Sequence, residues 1–166
     1  NRLDMITKRF SQIGTSPELI QANIIPIIQD AMNYLSSRSS KKITYNINLP
    51  ANEEIKLPIN QCLLEWVLEN LSKNAIDAMS GIGTLSLELT QDTKRVIIDI
   101  SDTGKGMPKK QFKKIFEAGY TTKERGWGMG LSLAKRIIEE YHHGKIFVKQ
   151  SVIGKGTTFR IILKKV

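Results

Sequence analysis

Apolar positions change period several times along this chain, and each change marks an element. Leu3, Ile6, Phe10 and Ile13 fall at helical spacing, as at the end of a longer helix. Gly14 closes that helix and Thr15-Ser16-Pro17 reads as a connector. A second helix is expected from Ile24 to Ser37, with Pro26 in its first turn, where proline is tolerated. The cluster from Ser36 to Lys42 is a loop. Ile43, Tyr45, Ile47 and Leu49 then alternate with Thr44, Asn46 and Asn48, the mark of a half-buried strand.

Pro58 is read as opening a long helix that reaches about Ser80 and stops at Gly81. Leu64, Val67, Leu68, Leu71, Ala75 and Ala78 form its apolar stripe. Asn70, Asn74 and Asp77 make a polar line beside it, at i, i+4 and i+7. Strands follow at Thr84–Thr90 and Arg95–Ile100, then a short helix from Pro108 and a helix from Gly128 to Tyr141. Strands at Ile146–Gln150 and Thr157–Leu163 finish the chain, which shows no internal repeat. Hairpins segregated from helices predict an α+β fold: a two-layer sandwich with a mixed, mostly antiparallel sheet packed on one layer of helices.

Composition narrows the class without fixing it. With 166 residues, the chain is most simply one domain able to bury roughly 70% of its unfolded surface. The apolar run Leu19 to Ile28 contains Gln21, Asn23 and Pro26, and falls far short of the ~20 residues of a membrane span. The first residues, Asn1 to Met5, lack the apolar core of a secretion signal. A start at asparagine suggests a piece of a longer protein, which leaves membrane anchoring of a parent open. The single cysteine, Cys62, fits a reducing compartment, and its leucine neighbours suggest a buried small hydrophobe. His142 and His143 lack metal-site spacing, and a capping or surface role suits them better. The net charge of +9 raises nucleic-acid binding. The lysines are scattered, however, with no aromatic platform or helix-turn-helix, so no nucleic-acid partner is expected. A solvated basic surface that also suits a polyphosphate is the better account.

Four short segments carry the chemistry. They are Glu69-Asn70-Leu71-Ser72-Lys73-Asn74-Ala75, Asp102-Thr103-Gly104-Lys105-Gly106-Met107, Gly126-Trp127-Gly128-Met129-Gly130-Leu131 and Gly154-Lys155-Gly156-Thr157. Each alone reads as an ordinary helix edge, capped turn or glycine turn. Gly126-x-Gly128-x-Gly130 lacks the G-x-G-x-x-G spacing after a strand that a dinucleotide loop needs, and no Gly-Lys-Ser/Thr follows for a Walker A loop. A helix beginning here offers free N–H groups and a dipole to phosphate. Asp102, after an apolar strand, offers a carboxylate to a hydrogen-bond donor, and Gly104 and Gly106 let backbone approach a ligand.

Together and in this order, the segments resemble the N, G1, G2 and G3 boxes of the ATP-binding domain of sensor histidine kinases. That domain is similar to those of DNA gyrase, Hsp90 and MutL, and the resemblance implies the Bergerat ATP-binding fold. It divides the chain at 1–14, the end of a dimerisation and phosphoacceptor hairpin with its linker, and 15–166, the ATP-binding domain. It implies ATP and Mg²⁺ as ligands. Asn74, with Asn70, is placed as the metal ligand, and Asp77 lies on the same line. Asp102, Gly104, Gly106, Met107 and Thr157 are placed about the adenine, Met107 against the ring and Thr157 supporting it through ordered water. Residues 112–123 resemble the family's F box and ATP lid, with Phe112 and Phe116 anchoring its stem. Thr121, Thr122, Lys123, Gly126, Gly128, Met129, Gly130 and Leu131 fall in the lid and G2 region, and Lys123 and Arg125 are candidates for the terminal phosphates. Trp127 stands where relatives usually carry small or polar residues.

The acceptor histidine motif of such kinases is absent from this sequence. The resemblance therefore implies a domain that presents Mg-ATP to a hairpin elsewhere in a homodimeric, cytoplasmically facing protein, which then phosphorylates a response regulator. The ATPase relatives carry a water-activating glutamate one turn before the metal asparagine; that position is Asn70 here, and a carboxamide is no general base. This opposes an ATPase clamp. A protein serine kinase and a nucleotide-sensing module without transfer remain alternatives.

Overall fold

The computed structural model describes residues 16–121, 128 and 130–166. Strand β1 (Ile20–Asn23) leads into helix α1 (Ile24–Ser36), followed by β2 (Ile43–Asn48) and β3 (Lys56–Ile59). Helix α2 (Gln61–Ala78) precedes the hairpin β4 (Gly83–Gln91) and β5 (Arg95–Asp102). Two 3₁₀ turns (Lys109–Gln111 and Lys114–Phe116) lead toward helix α3 (Gly130–Arg136), which runs on as a π-helical turn over Ile137–Tyr141. The hairpin β6 (Lys145–Val152) and β7 (Gly156–Lys164) completes the fold.

Five strands form one sheet in the order β2-β4-β5-β7-β6, with only the β2–β4 pair parallel. Strand alternation sends Leu85, Leu87, Val96, Ile98, Ile161 and Leu163 to one face, where all are buried. Helix α2 crosses this face against β4, β5 and β7; α1 packs on α2, and the π turn lies against β6. On α2, Leu64, Val67, Leu68 and Leu71 are fully buried, so the stripe read from the sequence is the seam between layers. The expected two-layer, mixed sheet is the architecture found. The opposite face carries the ion cluster of Asp99 with Arg160, 2.8 Å to each carboxylate oxygen, and with Lys149 at 3.2 Å. The Arg160 guanidinium holds that carboxyl below its usual range.

Several boundaries differ from expectation. Pro58 lies inside β3 rather than opening α2, and β1 and β3 form a separate two-stranded sheet. Proline is tolerated there because a two-stranded ribbon leaves one side of each strand unpaired. Asn60 caps α2 instead, its Oδ1 accepting from Leu63 N–H at 3.1 Å. At its far end α2 stops at Ala78, short of Ser80. The segment read as one helix from Gly128 to Tyr141 starts at Gly130 and widens into a π turn after Arg136. After Pro108 the chain makes 3₁₀ turns rather than an α-helix. Cys62 is half-buried on the first turn of α2, not a core residue. His142 does cap, but from the interior: its backbone N–H and Nδ1 both reach Ile137 O, and Nε2 accepts from Asn60 N–H at 3.0 Å. The proposed helix before Gly14 lies outside the described residues.

Candidate functional site

Asp102 is the last residue of β5, where the strand leaves the sheet, and it is buried with 7% of its surface exposed. Its Oδ1 accepts from the N–H of Gly104 at 2.8 Å and of Thr157 at 3.3 Å. No described residue donates to Oδ2, which leaves one carboxylate oxygen for a ligand. Burial pushes the carboxyl above its usual pKa, while the Gly104 and Thr157 N–H groups pull it back. A group of this kind can accept a hydrogen bond from an exocyclic amine.

Two glycine loops interlock around it. Gly106 has φ +66, and a Cβ there would run into the backbone of Val152; one on Gly156, with φ +117, would strike the carbonyl of Asp102 itself. Glycine is required at both, for backbone conformation and for closeness. Lys105 ties the first loop to its neighbours: its N–H donates to Ala78 O at the end of α2 (3.0 Å), and its carbonyl accepts from Gly154 N–H (2.7 Å). Met107 is half-buried and its N–H donates to Ser151 Oγ at 2.8 Å. Ser151 Oγ also lies 2.8 Å from Thr157 Oγ1 and donates to Gly156 O at 3.2 Å.

The second half of the site is the polar line of α2. Asn70 and Asn74 are half-buried and one turn apart, while Asp77 is exposed. The Asn70 side chain stands against the first residue of α3: a Cβ on Gly130 would lie 2.6 Å from its Oδ1. Among the described residues Asn70 Nδ2 is buried without a partner, an arrangement that costs free energy unless a ligand supplies an acceptor. Among the described residues no cluster of three or more His, Cys, Asp or Glu side chains could cage a metal ion. The donor set therefore suits Mg²⁺ only as a guest that brings phosphate and water oxygens of its own, with a carboxamide oxygen completing the shell.

Gly119 N–H donates to Gly128 O at 3.0 Å, and Phe116 is buried edge-on against Phe159. Thr121 is exposed and Leu131 half-buried against the core. Thr122, Lys123, Gly126 and Met129, with Arg125 and Trp127, lie outside the described residues. The structure thus brings Asp102, Gly104, Gly106, Met107 and Thr157 together, and sets Asn70 against Gly130. A groove of about 790 Å³ at the far end of the sheet, lined in part by Lys94, Lys145, Lys164 and Lys165, contains none of these residues. It accounts for part of the positive charge. Sequence reasoning missed Ser151, and a signal for it existed only in the register of β6.

Comparison with known proteins agrees with this geometry. The family described as histidine kinase-, DNA gyrase B-, and HSP90-like ATPase matches residues 60–166. Sensor histidine kinase ZraS of Salmonella typhimurium is 40% identical over 143 residues, covering 85% of this chain and 30% of that protein. Sporulation kinase E of Bacillus subtilis is 34% identical over 169 residues, covering 98% of this chain and 22% of that one. The chain therefore spans less than a third of these relatives. Among solved structures, the catalytic domain of histidine kinase ThkA superposes with a TM-score of 0.80 at 27% identity, over 90% of this chain and 97% of that domain. The chain belongs to the histidine kinase-, DNA gyrase B- and HSP90-like ATPase family, and its fold is that of the histidine kinase catalytic domains.

Proposed function

We propose that this chain is the part of a sensor histidine kinase that holds Mg-ATP and presents its γ-phosphoryl group to a histidine on a dimerisation hairpin, from which a response regulator receives it. The observation that carries the reading is Asp102: a buried carboxylate with one oxygen fixed by two backbone N–H groups and the other open to a donor. An adenine amine satisfies that oxygen. Gly104 and Gly106 bring backbone against the base, Met107 packs on its face, and Thr157 supports it. Asn74, with Asn70, would hold Mg²⁺ through carboxamide oxygens. The bound ion would neutralise charge on the phosphates. We assign Thr121, Thr122, Lys123, Gly126, Gly128, Met129, Gly130 and Leu131 to ATP binding as well, together with Asp77 on α2.

Phosphoryl transfer asks mainly for positioning and charge stabilisation, so this domain needs no nucleophile of its own. Asn70 in place of a carboxylate protects the γ-phosphate from water until the acceptor docks. We place the domain in the cytoplasm, where ATP is available. Among the described residues no helix is long and apolar enough to cross a membrane.

The test is to mix the chain with a purified acceptor hairpin and γ-labelled Mg-ATP. Acid-labile, alkali-stable label on the hairpin is expected. Nucleotide binding without any transfer would instead leave a nucleotide-sensing module.

A further inference from the structure

We propose that Ser151 is a positioning residue for the base: it fixes the Thr157 hydroxyl as an acceptor and so helps the site choose a 6-amino purine over a 6-oxo purine. The inference rests on the proposed placement of adenine beside Asp102.

The first observation is a register shift. Val148 pairs with Phe159, but the next pairing is Gln150 with Thr158, so β6 carries one extra residue at Lys149. Without that bulge Ser151 would fall opposite Gly156 and point to the open face of the sheet, the face of Thr158. With it, Ser151 pairs with Thr157 and shares the face that holds Asp102. Bulges of this kind re-aim a side chain beside a functional site.

The second observation is a count of protons. A serine hydroxyl has one proton and two lone pairs. Met107 N–H occupies one lone pair at 2.8 Å, and Gly156 O takes the proton at 3.2 Å. With the proton so placed only a lone pair remains for Thr157 Oγ1, 2.8 Å away; either hydroxyl can donate in that contact, and we assign the Thr157 hydroxyl as its donor. Its own lone pairs are then what it turns toward a ligand or an ordered water. Asp102 Oδ2, to which no described residue donates, belongs to the same face. An edge made only of acceptors suits the amine of adenine and repels the 6-oxo group of hypoxanthine or guanine. Ser151 also holds the Met107 backbone, so one hydroxyl links the loop after β5 to the start of β7.

The experiment is calorimetric titration of the chain with Mg-ATP and Mg-ITP, for wild type, Ser151→Ala and Ser151→Thr. In Ser151→Ala the Thr157 hydroxyl is free to rotate and offer its proton. The preference for ATP over ITP should then shrink about fivefold, the worth of one neutral hydrogen bond. Ser151→Thr keeps the hydroxyl and should restore the preference. Equal weakening of both nucleotides in Ser151→Ala, or an unchanged ratio, would overturn the proposal, since a merely structural serine predicts one or the other. Failure of the underlying reading looks different: wild type itself would bind neither nucleotide, or would bind both alike.

Discussion

Replacing Asp102 by asparagine changes one atom in the site and leaves its shape intact. The asparagine oxygen can still accept from Gly104 and Thr157, which now bond Oδ1 at 2.8 and 3.3 Å. The other position becomes an NH₂ group, so a donor faces the adenine amine, itself a donor. A hydrogen bond to a charged group contributes about 1.5–3 kcal/mol, and opposing donors add to its loss. A total near 3 kcal/mol corresponds to roughly a 150-fold weaker Kd. Stability should move little, because removing a buried charge offsets any weakening of the two N–H contacts. Calorimetry with Mg-ATP and thermal unfolding of the same samples separate the two effects. The wild-type carboxyl also gives the loss a pH signature. Burial raises its pKa, so protonation begins at higher pH than for an ordinary aspartate and removes the acceptor. ATP affinity should fall as pH is lowered through that value in wild type and stay flat in Asp102→Asn. If Asp102→Asn binds Mg-ATP within threefold of wild type while folded, the adenine placement is wrong.

Other outcomes follow from the same geometry. Asn70→Glu places a carboxylate one turn before Asn74 and should raise steady phosphate release from Mg-ATP; release no faster than wild type would remove the argument about a missing base. Gly156→Ala forces a side chain into φ +117 and against the Asp102 carbonyl, and should cost about 2 kcal/mol or more in denaturant unfolding, with ATP binding lost. His142 is buried as neutral imidazole, its pKa held below 6.5 first by burial. The unfolded chain then binds a proton that the folded chain refuses, so stability should fall as pH drops below 6.5 toward the folded value. Urea unfolding at pH 7.5 and 5.5 should show a drop in wild type that is smaller in His142→Gln.

The sequence exposed the chemistry more readily than the scaffold around it. The glycine boxes and Asp102 are legible because turns and close approach demand particular residues at particular positions, whatever lies far away. The stripe of α2 is legible for a similar reason, since 18 helical residues repeat their period several times. Strands β1 and β3 are only 4 residues each, too short for alternation to register. Pro58 misled because proline is equally at home in a helix's first turn and on a strand without a partner on one side. Ser151 was hidden for a deeper reason. Counting by twos along β6 puts it on the wrong face, and only the bulge opposite β7, a property of the pairing rather than of either strand, turns it inward.

The interlock of Gly156 with the carbonyl of Asp102 has a consequence for the order of events in folding. Asp102 lies 55 residues before Thr157, whose N–H completes its hold on Oδ1. Contacts so distant in sequence close late, after the loop between them has paid its entropy. A chain emerging from the ribosome can therefore build α2 and the β4–β5 hairpin, and expose every box but the last, while remaining blind to nucleotide. Recognition arrives with β7, so ATP binding doubles as a report that the final strand has docked.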